Sequence, residues 1–281
     1  MTNLFQVPGA SLAFERIGPD QAHTLVVLHG GPGEPHDYLR PHFDCLVSER
    51  NAVVYYDQRG SGESRLDEGA AFPDWQTHVR DLEALRIHLC RDRLTLVGFS
   101  WGALLALLYA LEHPDRVAQL ILVSPVPVRA ADMAIVAKNL TRAEARPEMD
   151  RFRAHLAREH RDPGHERFLL NVAACLVDPF VASSLTPVVG NVEAAEATLR
   201  SLGDFDLGPR LGGLSQIPTA ILHGREDPVS AFGAASTAAA LGARCIVFDG
   251  CGHAPFVEAK EMFFAQMTSI LDDVDRRRAV R

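Results

Sequence analysis

Leu94-Thr95-Leu96-Val97-Gly98-Phe99-Ser100-Trp101-Gly102 decides the fold. A short apolar run ends at a glycine, a serine follows two residues later, and a second glycine two after that. G-x-S-x-G carries chemical meaning only between a strand and a helix. Both are expected here. Residues 94–98 are short and apolar, as a buried parallel strand is. Residues 101–113 are almost all apolar and small, as in a helix buried against a sheet, and Pro114 ends them. So sharp a turn holds Ser100 in a strained conformation with its hydroxyl above the sheet edge. Glycines at 98 and 102 admit the crowding. The serine also caps a helix N-terminus, where backbone N–H groups and the dipole favour developing negative charge.

The rest of the chain repeats this alternation. Residues 24–29, 52–57, 117–124, 219–223 and 244–248 read as further buried strands. Residues 74–91 and 254–271 carry helical spacing, and 11–17 reads as an antiparallel entry strand. Strands alternating with helices imply βαβ units and a mostly parallel α/β sheet with helices on both faces. The stretch 125–215 breaks the pattern. It contains no clear strand, and Thr141 to Glu144 fits a capping box that opens a helix. Helices are expected over 142–159, 165–177 and 192–202. The chain therefore divides into a core of 1–124 plus 216–281 and a helical cap of 125–215 inserted between two sheet strands.

A serine nucleophile needs a base and a group to orient it. His253 lies in Asp249-Gly250-Cys251-Gly252-His253, directly after the last strand. Asp227 lies in His223-Gly224-Arg225-Glu226-Asp227, directly after the strand before it. Both reach the C-terminal edge of the sheet, where ligands gather. The order serine, acid, histidine suits this architecture. Glu226 and Asp249 are rival candidates for the acid. His29-Gly30-Gly31-Pro32-Gly33 follows the strand 24–29. An oxyanion hole needs two backbone donors aimed at one point. The N–H of Trp101 is one, and that of Gly31 is the natural second. Cys251 is read as structural, and Asp57 and Arg59 as braces for the loop beside the oxyanion turn. Phe99 and Trp101 either line the acyl pocket or pack in the core.

Composition narrows the remaining classes. The chain has 281 residues, 47% hydrophobic and 23% charged, which excludes a disordered or low-complexity protein. With 28 basic and 36 acidic residues the net charge is −8, so nucleic acid is not an expected partner. Arg276-Arg277-Arg278 follows three aspartates and reads as a solvated tail. No apolar run approaches the ~20 residues that span a bilayer, and the N-terminus lacks a signal-peptide pattern. Five scattered cysteines without a CxxC fit a reducing compartment and buried thiols. A cytoplasmic protein is expected, and Asn139-Leu140-Thr141 is then a chance glycosylation match. His155, His160 and His165 recur every five residues, the wrong spacing for one helical face to chelate a metal. No phosphate-cradle or dinucleotide loop is present. Neither a metal nor an organic cofactor is called for.

Three motifs together resemble the α/β-hydrolase superfamily: His29 to Gly33, Asp57-Gln58-Arg59-Gly60-Ser61-Gly62-Glu63-Ser64, and Gly98 to Gly102. Within it they look most like the proline iminopeptidase (prolyl aminopeptidase) group, as does the His-Gly-Arg-x-Asp around Asp227. The resemblance implies an α/β-hydrolase fold and a catalytic triad of Ser100, Asp227 and His253. It further implies an oxyanion hole from Gly31 and Trp101, and a helical cap over the site. The chain departs from the group at Glu63, where arginine is usual, and at Phe99, where glycine is usual. The group holds its substrate amine with acidic groups in the cap, and no cap motif between 125 and 215 matches. Glu144, Glu148, Glu159, Glu166, Glu193 and Glu196 are candidates there, most of them expected on helix surfaces. Two functions follow: release of an N-terminal residue such as proline from a small peptide, or hydrolysis of an ester, thioester, lactone or amide without an amine. A silent ligand-binding relative is the reading from another class.

Overall fold

The computed structural model describes residues 2–229 and 231–279. Nine strands form one sheet: β1 (Asn3–Val7), β2 (Ala10–Ile17), β3 (His23–Leu28), β4 (Asn51–Tyr56), β5 (Arg65–Leu66), β6 (Leu94–Phe99), β7 (Val117–Val123), β8 (Thr219–Gly224) and β9 (Arg244–Phe248). Their order is β1-β2-β4-β3-β6-β7-β8-β9, with β5 paired to β2. From β4 to β9 every neighbour is parallel, and β1, β2 and β5 add antiparallel pairs at one end. The entry strand is thus joined by a hairpin partner, β1, that sequence reading missed.

Helices of ten or more residues are α1 (Trp75–His88), α2 (Trp101–Glu112), α3 (Met133–Glu144), α4 (Pro147–Leu156), α5 (Pro163–Ala174), α6 (Val192–Leu202), α7 (Ala231–Leu241) and α8 (Lys260–Ala279). Alternate strand residues face opposite sides of a sheet, and the core splits accordingly. Val26, Leu28, Leu96 and Leu122 pack with α1, α2 and α7. Leu25, Val27, Val97 and Val123 pack on the other face with Phe256, Phe263 and Met267. That second cluster continues without a break into Met149, Phe152 and Leu169 of the segment between β7 and β8.

The structure corrects three local readings. Thr141 and Glu144 end α3 rather than open a helix, and the Thr141 hydroxyl donates back to the Ala137 carbonyl at 3.0 Å. A threonine inside a helix can satisfy itself this way, so the capping pattern misleads. The final helix is interrupted: a short turn, Pro255–Glu258, precedes α8. The α8 backbone stays helical through Arg276 to Arg278, whose side chains lie outside the described ones. Cys45 and Cys90 are exposed, whereas Cys251 is buried. No helix among the described residues is long and apolar enough to cross a membrane.

Candidate active site

The loops that leave β3, β4, β6, β8 and β9 all emerge at one edge of the parallel sheet. The chain moves outward from β3 to β4 and then returns to β6 on the other side. Loops diverge at such a switch point and leave a crevice. Ser100 stands there, with φ 55° and ψ −117°, a left-handed conformation that a residue with a side chain adopts only under constraint. The constraint is close packing between β6, α2 and β3. A Cβ on Gly98 would lie 2.4 Å from the Gly102 carbonyl, and one on Gly102 would lie 2.3 Å from the Leu28 carbonyl. The Ser100 N–H donates to the Val123 carbonyl at 2.9 Å, which extends the β6–β7 pairing one residue past the strand.

Because β3 and β6 are neighbours, the turn after β3 lies against the serine. A Cβ on Gly30 would be 3.3 Å from Ser100 Cβ. Gly31, at φ 109°, and Trp101 both line the same cavity as Ser100. As the first residue of α2, Trp101 carries an N–H with no acceptor inside the helix.

Buried side chains hold this turn in place. The Gln58 N–H donates to His29 Nε2 at 2.9 Å, so the His29 proton sits on Nδ1, which donates to the Gly30 carbonyl at 2.9 Å. Burial lowers the His29 pKa to about 4, so the ring stays neutral. The Gln58 amide donates to the His29 carbonyl at 3.0 Å and accepts from the Trp101 indole at 2.7 Å. Asp57 accepts from the His36 N–H at 3.0 Å and the Glu63 N–H at 2.8 Å, and pairs with the His36 ring at 2.7 Å. Burial works against charge on His36, yet the hydrogen bond and charge of Asp57 outweigh it and raise the His36 pKa. Arg59 forms a two-pronged pair with Asp81 at 2.8 and 2.6 Å.

His253 and Asp227 meet across the β8–β9 edge. His253 Nδ1 lies 2.8 Å from Asp227 Oδ2, and Asp227 Oδ1 accepts from the Val229 N–H at 2.8 Å. Both residues are buried. The rival acids point elsewhere. Glu226 accepts from the Cys251 N–H at 3.0 Å, and Asp249 pairs with Arg225 in solvent. Glu258 anchors the histidine loop by accepting from the N–H groups of Val177 and Gly252 at 2.8 and 2.9 Å. Burial raises the Glu258 pKa, and these donors pull it the other way. The His253 N–H itself donates to the Cys175 carbonyl at 2.9 Å, which ties the loop to the inserted segment.

Ser100 and His253 face a cavity of about 340 Å³. Its walls are mostly apolar, with Phe99 and Trp101 from the core and Met133, Val136, Leu140 and Leu199 from the inserted segment. A larger open groove of about 870 Å³ runs along the opposite edge, past Val117, Thr219 and Arg244 where strands begin, far from these loops. Of the six carboxylates singled out between 125 and 215, Glu144 alone lines the 340 Å³ cavity. Glu148, Glu159 and Glu196 pair with nearby arginines on helix surfaces. The structure brings forward residues that sequence reading passed over: Glu34, Tyr38 and Cys175 in the cavity wall, and Gln58 and Glu258 behind it. For Glu34 a signal existed, since it is a charged residue directly after Gly33 in an otherwise apolar turn.

Comparison with known proteins follows the same lines. A family model described as alpha/beta hydrolase fold matches residues 23–260. The chain is 27% identical over 266 residues to a proline iminopeptidase of Lactobacillus helveticus (strain DPC 4571), covering 89% of this chain and 90% of that one. It superposes on a proline iminopeptidase-related protein from Thermus thermophilus with a TM-score of 0.76 at 25% identity, covering 98% of both chains. An esterase from Thermogutta terrifontis shares the fold, with a TM-score of 0.72 at 23% identity over 98% of this chain and 99% of that one.

Proposed function

The chain belongs to the alpha/beta hydrolase fold family and is a hydrolase, and from that premise we propose that it works by acyl transfer through Ser100, His253 and Asp227. The observation that carries this reading is the 2.8 Å contact between His253 Nδ1 and Asp227 Oδ2, in a cavity shared with the strained Ser100. A carboxylate on Nδ1 keeps the proton there and leaves Nε2 free as the base. Ser100 Oγ attacks the substrate carbonyl and His253 takes its proton. The Gly31 and Trp101 N–H groups receive the oxyanion. The protonated histidine then delivers that proton to the leaving group. Water, activated by the same histidine, releases the acyl group from Ser100. Residues 125–215 serve as a helical cap that shapes the acyl pocket.

For the substrate, the iminopeptidase relatives favour release of an N-terminal residue such as proline from a small peptide. The apolar cavity wall favours a second reading, hydrolysis of a small ester or lactone. Purified protein tested on prolyl-p-nitroanilide, its N-acetylated form and a short-chain p-nitrophenyl ester separates the two. Cleavage of the free-amine anilide, with the acetylated form untouched, is the expected result. Ester cleavage alone moves the assignment to esters. Ser100→Ala is the control and should abolish every activity.

A further inference from the structure

Glu34 is out of place in this cavity by ordinary energetics. Its Oε2 is buried and has no hydrogen-bond partner. A buried carboxyl oxygen without a partner is unfavourable whether the group is charged or neutral. Burial pushes its pKa up to about 7, while a hydrogen bond from its own backbone N–H and the charge of Arg167 pull the other way. Arg167 sits on α5 and donates to the Gly190 carbonyl at 3.5 Å. Among the described residues that line the cavity, the charged ones are Glu34 and Glu144, and none is a lysine or arginine. The cavity is therefore apolar, acidic and without a cation of its own.

The position of the carboxyl is as informative as its solitude. A Cβ on Gly31 would lie 1.9 Å from Glu34 Oε2, so the carboxyl rests against the turn that carries one oxyanion donor. A negative charge there opposes an oxyanion unless a cation offsets it. Building on the serine-hydrolase reading of this cavity, we propose that Glu34 is the specificity-determining residue that binds a substrate ammonium group on the carbon next to the scissile carbonyl. The ligand class is an apolar α-amino acyl compound with a free primary or secondary amine. The bound amine supplies the missing partner of Oε2. It also removes the charge that would oppose the oxyanion at Gly31. Recognition in this chain thus comes from the core turn after β3 as well as from the inserted segment.

The test compares prolinamide, which is cationic, with cyclopentanecarboxamide, its neutral isostere. Binding to the full chain is measured by ligand-observed NMR titration in the Ser100→Ala background, so that no ligand is consumed. Prolinamide should bind at least tenfold more tightly, the scale of a hydrogen bond between charged groups. Adding Glu34→Gln should bring the two dissociation constants together, and Glu34→Met should do the same. Equal binding in the parent, or no binding of the amine, overturns the proposal. So does a preference that survives both Glu34 variants and disappears in Glu144→Gln. The aminopeptidase reading fails separately, if the amine is preferred in binding while the wild-type protein leaves prolyl-p-nitroanilide uncut.

Discussion

Two regions meet at the cavity, and they are built on different forces. The sheet-edge loops are a buried hydrogen-bonded assembly. His29, Gln58 and Trp101 form one chain of bonds, Asp57 gathers two N–H groups and the His36 ring, and Asp227 holds His253. The segment 125–215 offers the cavity mainly apolar side chains, and several of its charges pair in solvent, as Arg151 does with Glu148 and Arg153 with Asp150. Hydrogen bonds are directional and fix positions to fractions of an ångström. Apolar packing is non-directional, and many arrangements bury similar area. On the proposed mechanism, chemistry belongs to the first region and the shape of the substrate to the second. Glu34 crosses that division.

The comparison breaks most visibly at the nucleophile. Ser100→Ala should lower kcat by about 10⁶, on the scale of nucleophile loss in subtilisin, while its thermal melt stays near wild type. Residual turnover within tenfold of wild type would remove Ser100 from the chemistry. Asp227→Asn should cost about 10⁴ in kcat, on the trypsin precedent, by leaving the wrong histidine tautomer. Asp249→Asn should stay within a few-fold, since its side chain pairs with Arg225 in solvent. The reverse ranking would reassign the acid.

How much of this was legible follows the same division. The elbow at Ser100 and the turn at Gly31 were readable because backbone constraints dictate their glycines, and the loops of Asp227 and His253 because each directly follows a readable strand. Gly98 and Gly102 cannot carry a Cβ where they stand. The six parallel strands were readable within a residue or two because they are short apolar runs, most of them buried on both faces, whereas β1 and β5 at the antiparallel end were missed. Within 125–215 the helix at α3 was missed, and Thr141 with Glu144 imitated a helix start at its end. Which of six carboxylates faces the cavity depends on how amphipathic helices rotate against the core, and no local spacing encodes that. Glu34 was visible as a charge directly after Gly33, but its role was not. Its role depends on what its carboxyl lacks, and a sequence does not display a missing partner.

The inserted segment should still matter for stability. Phe152 in α4 is fully buried and meets Phe180 edge-on at 5.3 Å between ring centres. Phe152→Ala should destabilise by about 3–5 kcal/mol in urea unfolding, as large-to-small changes in a packed core do. A cost under 1 kcal/mol would mean that the segment packs loosely. Glu34 sets the next effect. Its folded pKa of about 7 lies above its ordinary 4.5, so between those values the folded state holds the proton more tightly. Stability should then fall as pH rises across that window, by up to about 3 kcal/mol relative to Glu34→Gln, and level off above it. Parallel stability curves for the two proteins would show that the carboxyl ionises as freely folded as unfolded.

The smallest effect sharpens the comparison from the opposite side. Arg153 and Asp150 lie 2.8 Å apart on α4, with side-chain exposures of 43% and 80%. A pair so open to water gains little Coulomb energy and gives up side-chain entropy to stay in register. Replacing both by alanine should change unfolding free energy by no more than about 0.5 kcal/mol. Arg59 and Asp81 make a comparable contact where both are buried. Removing Asp81 alone there leaves a buried guanidinium uncompensated, a loss of about 3–5 kcal/mol. Equal costs at the two pairs would mean that burial does not separate the regions, and the division between a polar core edge and an apolar inserted segment would lose its physical basis.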